Sequence, residues 1–190
     1  MILPIVAYGD PVLKRMGREI EEEEMPEIKK LIEDMWETMY NANGVGLAAP
    51  QIGKDLRLFL VDSIQMQEDL ENETGIKKAF INPIIEEESG EEWDYNEGCL
   101  SIPNIREDVS RKPKIKISYL DENFELQEEE YEGINARVIQ HEYDHVEGIL
   151  FTDKLSPLKK RMLKKKLEDI SKGKVNLGYK MKYPLIKKRR

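Results

Sequence analysis

Residues that bind soft metals or form disulfides are scarce in this chain of 190 residues. It contains one cysteine, Cys99, and two histidines, His141 and His145. A single cysteine excludes an intramolecular disulfide, which fits a reducing compartment and favours a thiol that acts as a ligand or nucleophile. An apolar run of about 18 residues is also missing, so the sequence predicts no transmembrane helix and no membrane partner.

The first residues of the sequence do not predict a signal peptide. The first residues lack the basic start and long apolar run of a signal peptide, and Pro4 interrupts the short apolar stretch. We therefore expect a cytoplasmic protein. With 39% hydrophobic residues, the length suits one domain, residues 1–190, with a substantial core. Nothing in the sequence indicates an oligomer, so a monomer is the default.

The formal charge of −8 is unevenly distributed along the chain. Residues 155–190 hold 14 Lys and Arg against two acids, a formal charge of +12, whereas the preceding 154 residues carry −20. One interpretation is a solvated basic helix followed by a frayed end. The other is a docking arm for a polyanion such as RNA, which would bind in a strongly salt-sensitive way.

Apolar spacing predicts several elements before residue 132. Residues 26–40 have the period of an amphipathic helix, and residues 56–61 form a short apolar run typical of a buried strand. A second strand is predicted over residues 79–85, with Pro83 at an edge or bulge. Alternation over residues 114–131, interrupted by Asp-Glu-Asn, indicates a hairpin with one buried face.

Two further helices are predicted in the last third of the chain. Gly133 and Asn135 precede the helix that carries both histidines, and Gly148 can end it. The dipeptide Ser156-Pro157 supplies a cap and a first-turn proline for a final helix, which Gly173 can terminate.

The histidines belong to an H-E-x-x-H motif, a signature of metal sites. His141 and His145 are four residues apart, so on a helix both imidazoles face one ion while Glu142 lies beside it. Cys99 is the natural third ligand, which leaves a fourth position open for water. A divalent ion lowers the pKa of bound water from about 15.7 to roughly 7, and Glu142 can serve as general base.

The residues alone leave other interpretations open. In a zinc metallopeptidase the third ligand would be a downstream acid, for which Glu147 and Glu168 are available. The metal could instead be structural, in a non-catalytic factor with a closed four-ligand site. Cys99 could also be a small buried apolar residue.

Three segments together carry a resemblance to a known family. They are Gly44–Gly53 (GVGLAAPQIG), Glu97–Ser101 (EGCLS) and Gln140–His145 (QHEYDH). In this order they resemble the peptide deformylases, whose pattern is G-φ-G-L-A-A-x-Q (φ apolar), E-G-C-L-S and Q-H-E-x-D-H. The resemblance implies an α+β fold, with small mixed sheets around a central buried helix carrying the H-E-x-x-H motif, and a C-terminal helix.

The same resemblance implies an activity, a cofactor and partners. The activity is metal-dependent removal of the N-formyl group from the N-terminal methionine of newly synthesised polypeptides, with release of formate. The cofactor is one divalent ion, ferrous iron by preference, with zinc, nickel or cobalt as alternatives. The partners are nascent N-formylmethionyl peptides and the ribosome, which the basic C-terminal region would contact.

The resemblance also assigns roles in the first two motifs. The side-chain amide of Gln51 and the backbone N–H of Leu100 correspond to donors that stabilise the oxyanion of the tetrahedral intermediate. Gly46 corresponds to a residue that binds the substrate backbone, and Val45 to part of an apolar pocket for methionine. Without the family, Gln51 could cap a turn, Gly46 could form a tight turn and Val45 could be core.

Supporting positions are assigned in the same way. Glu97 and Arg106 match family positions near the substrate cleft, with a surface salt bridge as the alternative. Asp144 could accept a hydrogen bond from a ligand imidazole or an arginine, or it could be a surface or capping residue. Residues 174–190 extend past the shorter family members, so the resemblance implies no conformation for them.

Overall fold

The computed structural model describes residues 1–186, so residues 187–190 of the predicted basic extension lie outside the described part. The α-helices are α1 Met25–Asn41, α2 Gln67–Leu70, α3 Gly133–Val146 and α4 Pro157–Ser171. The strands are β1 Ile5–Val6, β2 Gly46–Ala48, β3 Leu58–Asp62, β4 Lys77–Ser89, β5 Trp93–Cys99, β6 Ile102–Arg111, β7 Lys114–Leu120, β8 Leu126–Glu132 and β9 Met181–Lys182. Across residues 1–186, none of the helices is both long and apolar enough to cross a membrane.

The strands form three small sheets, as the α+β prediction requires. The largest is antiparallel with the order β2-β3-β4-β7-β8. Strands β5 and β6 form a separate antiparallel hairpin. The third sheet joins the two ends of the chain, because β1 pairs with β9 in parallel.

Helix α3 is the central buried helix. Its Ile139 and Val146 are fully buried and pack in one cluster with Phe59, Phe80 and Tyr119 of the five-stranded sheet. Helix α1 covers a second cluster, and α4 packs with β6 on a third. The predicted arrangement of small sheets around the motif-bearing helix, with a further helix near the C-terminus, is therefore confirmed.

The start of α3 differs from the prediction. Gly133 and Asn135 lie inside its first turn instead of preceding it. The cap comes from elsewhere in the chain, because the carboxylate of Glu73 accepts hydrogen bonds from the N–H groups of Ile134 (3.1 Å) and Asn135 (3.3 Å). Glu73 is 61 residues away from Ile134, so the residues next to the helix give no signal of this cap. The start of α3 was therefore predicted too late.

The other predicted elements are confirmed with shifted ends. Helix α1 and the β7–β8 hairpin match their predictions, whereas β3 begins two residues late. Strand β4 begins two residues before and ends four residues after the predicted range of 79–85. Pro83 lies where the register between β4 and β7 shifts, between Ile81 and Ile84, so the predicted bulge is present. The β5–β6 hairpin was not predicted.

Helix α4 begins as predicted. The hydroxyl of Ser156 accepts a hydrogen bond from the N–H of Lys159 at 3.3 Å, and Pro157 occupies the first turn. Beyond Gly173, which has a φ of +72°, the chain turns back onto the body. The frayed-end interpretation is therefore wrong for residues 174–186.

The sequence did contain a signal for this return. Every second residue from Val175 to Tyr183 is apolar, and these residues are half-buried while those between them are exposed. That period of two is typical of an extended segment with one covered face. The pattern was not recognised because the region was interpreted by its high lysine content.

Candidate functional site

The three predicted metal ligands meet at one point. Cys99 is the last residue of β5, and His141 and His145 lie one turn apart on α3. Their ligand atoms all lie within 4.8 Å of one another, and the Sγ of Cys99 is 3.4 Å from the Nε2 of His145. A thiolate and two imidazoles suit zinc or iron with a fourth position open, so the donor set fits a catalytic divalent ion.

Glu97 fixes the orientation of one ligand. Its Oε1 lies 2.8 Å from the Nδ1 of His141, so the Nε2 of that ring is left for a metal ion. A carboxylate that holds a ligating histidine in this way is a common feature of metal centres. Glu97 is 4% exposed, so the alternative of a surface salt bridge is wrong for this residue.

A buried charge network surrounds Glu97. Its Oε2 accepts from Arg111 (2.8 Å) and Arg137 (2.9 Å), and Arg111 also donates to Asp144 at 2.7 Å. Two guanidinium groups thus balance two carboxylates. Burial alone would raise the pKa of Glu97, but hydrogen bonds from His141 and Arg111 hold the pKa well below its usual range. Asp144 accepts a hydrogen bond from an arginine, which is one of the alternatives predicted for it.

Neither arginine of this network was predicted from the sequence as a site residue. Arg137 is four residues before His141, so the helical period alone places it on the same face of α3 as the metal ligands. Arg111 ends β6. Its pairing with Glu97 requires the β5–β6 hairpin, and its pairing with Asp144 requires that hairpin to pack against α3.

Glu142 lies beside the ligands in a tightly closed position. It is 5% exposed, and its Oε2 has no hydrogen-bond partner among residues 1–186. A Cβ at Gly46 would lie 2.4 Å from its Oε1, so the carboxylate occupies space that only a glycine leaves free. Burial raises the pKa of Glu142 to about 7. The predicted base therefore sits next to the metal ligands with an oxygen atom free to accept a proton.

Gln51 contacts both its own turn and one predicted metal ligand, Cys99. Its Oε1 accepts a hydrogen bond from the N–H of Ala48 at 2.9 Å, as the turn-capping interpretation expects. Its Nε2 lies 3.4 Å from the Sγ of Cys99 and 3.3 Å from the Oγ of Ser101. The cap thus orients the amide N–H groups toward the ligand cluster.

Gln51, Glu97, Cys99, His141 and Glu142 line a cleft of about 640 Å³, a volume typical of ligand sites. The predicted residues Val45, Gly46, Leu100 and Arg106 all line it. Arg106 is exposed at the rim, where it donates two hydrogen bonds to Asn96 (2.7 and 2.9 Å). Leu177 and Tyr179 of the C-terminal segment also line the cleft, although the sequence did not predict this.

The acids that a zinc metallopeptidase would use lie elsewhere. Glu147 forms an ion pair with Arg57 at 2.6 Å, and Glu168 pairs with Lys172 on α4. Neither belongs to the group of ligand atoms that could hold a metal ion.

Comparison with known proteins identifies the family. The sequence profile of the polypeptide deformylase family matches residues 2–161. Peptide deformylases from Christiangramia forsetii and Flavobacterium johnsoniae are 57% and 52% identical, and each alignment covers 100% of both chains. The crystal structure of peptide deformylase from Thermus thermophilus superposes with a TM-score of 0.79 at 40% identity, covering 90% of this chain and 98% of that one. This chain belongs to the peptide deformylase family.

Proposed function

We propose that the chain is a metal-dependent hydrolase that removes the N-formyl group from the N-terminal methionine of newly synthesised polypeptides and releases formate. One observation carries the proposal: the buried carboxylate of Glu142, with a free oxygen, lines an open cleft beside three convergent residues that could hold a metal ion. A closed structural metal site would need neither the carboxylate nor the cleft. Family membership supports the same activity.

Cys99, His141 and His145 would hold the ion, and we propose ferrous iron, with zinc, nickel or cobalt as alternatives. When bound, a divalent ion supplies Lewis acidity to the formyl oxygen and to water. Glu97 would act on the ion through His141, because both of its oxygens already have partners. We therefore propose an orienting role for Glu97 in place of the substrate contact that the resemblance implied.

Glu142 would transfer the proton. Its free Oε2 accepts a proton from the attacking water as the new C–O bond forms at the formyl carbon. The same carboxyl group then gives the proton to the methionine nitrogen as the C–N bond breaks, which leaves formate and a free amine. Because Glu142 is buried, bulk water does not compete for this proton.

The remaining predicted residues would bind the substrate and its oxyanion. The Nε2 of Gln51 and the backbone N–H of Leu100 would donate to the negative oxygen, whose stabilisation by such donors is often the largest single contribution to the rate. Gly46 would bind the substrate backbone, and Val45 would contact the methionine side chain. Arg106, at the rim, would contact the residues that follow.

The proposal is tested on formyl-Met-Ala-Ser and acetyl-Met-Ala-Ser with anaerobically purified protein whose metal content is measured on the same sample. We expect rapid release of formate from the first peptide and no hydrolysis of the second. A fully metallated sample that releases no formate would contradict the activity and favour a non-catalytic role.

We also propose that α4 contacts the ribosome. The helix carries a row of exposed cations that form no ion pair among residues 1–186, namely Lys160, Arg161, Lys164, Lys165 and Lys166. The body of the chain is acidic, so these side chains are where ribosomal RNA would be attracted. Cytoplasmic location and a monomeric state are part of the same proposal.

The double substitution Lys164→Glu and Lys165→Glu is expected to weaken association with ribosomes at least about tenfold, because two phosphate contacts and their released counterions are lost. The matched control is Lys29→Glu with Lys30→Glu, which changes the same charge on the exposed face of α1. Co-sedimentation at several salt concentrations measures both variants. Equal affinity of the two variants would remove α4 as the contact, and hydrolysis of the formyl tripeptide should be unchanged in each.

A further inference from the structure

The C-terminal strap, which we define as residues 174–183, is held against the body close to the cleft. The N–H of Ile5 donates to the carbonyl of Lys180 at 3.0 Å, and the N–H of Ala7 donates to that of Lys182 at 2.9 Å. The side chain of Met181 packs against two of the core clusters. The strap is therefore part of the folded body, and it lies beyond the residues that the family profile matches.

Tyr179 connects the strap to the turn between β5 and β6. Its hydroxyl donates a 2.8 Å hydrogen bond to the carbonyl oxygen of Leu100, and its half-buried ring lines the cleft. The next carbonyl in this turn, that of Ser101, accepts a 2.9 Å hydrogen bond from the N–H of Tyr8, which follows β1. The two successive carbonyls are thus held by the two ends of the chain, which pair with each other through β1 and β9.

This turn needs such support because it lies outside regular structure. Strand β5 ends at Cys99 and β6 begins at Ile102, with a register shift between Gly98 and Cys99. Leu100 and Ser101 therefore lack the ladder of backbone hydrogen bonds that would otherwise fix them. Yet the N–H of Leu100 has to be correctly placed for the oxyanion, and misplacement by about 1 Å can cost up to 10²-fold in rate.

We propose that Tyr179 is a positioning residue for catalysis, which fixes the β5–β6 turn so that the N–H of Leu100 is aimed at the oxyanion. The inference rests on the proposed function. By this inference the C-terminal strap contributes to catalysis by positioning the β5–β6 turn, and this role is separate from any ribosome contact by α4. Deletion after Gly173 would remove this support, so it cannot serve as a test of ribosome binding alone.

The test compares Tyr179→Phe with Tyr183→Phe in the full chain. Both variants keep the ring, and Tyr183 is the matched control because its hydroxyl makes no hydrogen bond among residues 1–186. We expect Tyr179→Phe to lower kcat about 5- to 20-fold, a part of the 10²- to 10³-fold that loss of an oxyanion donor costs. KM and metal content should match those of the control, and the midpoint of thermal unfolding should fall by only a few degrees, since one hydrogen bond contributes about 1 kcal/mol.

A second measurement does not depend on activity. In zinc-loaded, diamagnetic protein, the NMR order parameter of the Leu100 amide should fall from about 0.85 toward 0.6 in Tyr179→Phe and stay unchanged in Tyr183→Phe. Equal kcat values for the two variants, or a loss that follows metal content, would overturn the inference while wild-type formate release still supports the proposed function. An inactive, fully metallated wild type would instead refute the proposed function itself.

Discussion

Substitution of Glu142 by glutamine is expected to lower kcat by about 10²- to 10⁴-fold, the contribution of a well-placed general acid–base group. The amide has the same shape as the carboxylate, so the close packing against Gly46 is kept. It cannot accept the proton of the attacking water. Metal content should remain that of the wild type, because Glu142 is not one of the three proposed ligands. Formate release and metal analysis on the same preparation check both expectations.

The matched control is Glu147→Gln, five residues further along the chain. Glu147 follows α3 and pairs with Arg57, so the substitution removes a carboxylate of the same type without touching the cleft. We expect kcat within about twofold of wild type. The free energy of unfolding should fall by about 1 to 3 kcal/mol, because Arg57 is largely buried and loses its charged acceptor. Similar kcat values for the two variants would refute the role of Glu142 as the base.

The ligand cluster could be predicted from the sequence because its geometry is mostly local. The spacing of His141 and His145 fixes two ligands on one helical face without any knowledge of the fold. The third followed from scarcity, since Cys99 is the one cysteine in the chain. The family resemblance, which the comparisons confirm, then supplied the order of the three motifs and the α+β fold.

What the sequence could not provide depends on contacts between distant segments. The pairing of Glu97 with Arg111 requires the β5–β6 hairpin, and the cap of α3 by Glu73 requires a loop 61 residues earlier in the chain than Ile134. Neither partner is marked by spacing. Contacts of this kind are decided by tertiary packing, which overrides local preference at the ends of elements.

The C-terminal region shows how composition can conceal a pattern. Its positive charge suggested a solvated arm, and α4 does present its cations to solvent. Within the C-terminal strap, however, apolar residues alternate with polar residues and glycine, and alternation determines which face is covered regardless of net charge. An interpretation based on charge therefore did not predict that Tyr179 packs against the body, although the alternation that indicates it was present in the sequence.

Substitution of Cys99 by serine is expected to have the largest effect, because it removes one of the three proposed metal ligands. Loss of a residue that merely supports a ligand lowers metal affinity about 10- to 100-fold, so loss of the thiolate itself should exceed about 100-fold. After dialysis against a weak chelator, we expect little metal in the variant and about one ion per chain in the wild type. Formate release should fall in proportion to the metal.

The experiment also separates this site from that of a zinc metallopeptidase. In such an enzyme an acid such as Glu168 would be the third ligand, and Glu168→Gln would abolish metal binding while Cys99→Ser would not. The structure leads to the opposite expectation, because Glu168 pairs with Lys172 on α4 whereas Cys99 lies 3.4 Å from His145. Glu168→Gln should therefore retain full metal content and activity. Retention of metal by Cys99→Ser would rule out the thiolate as a ligand, and with it the proposed centre.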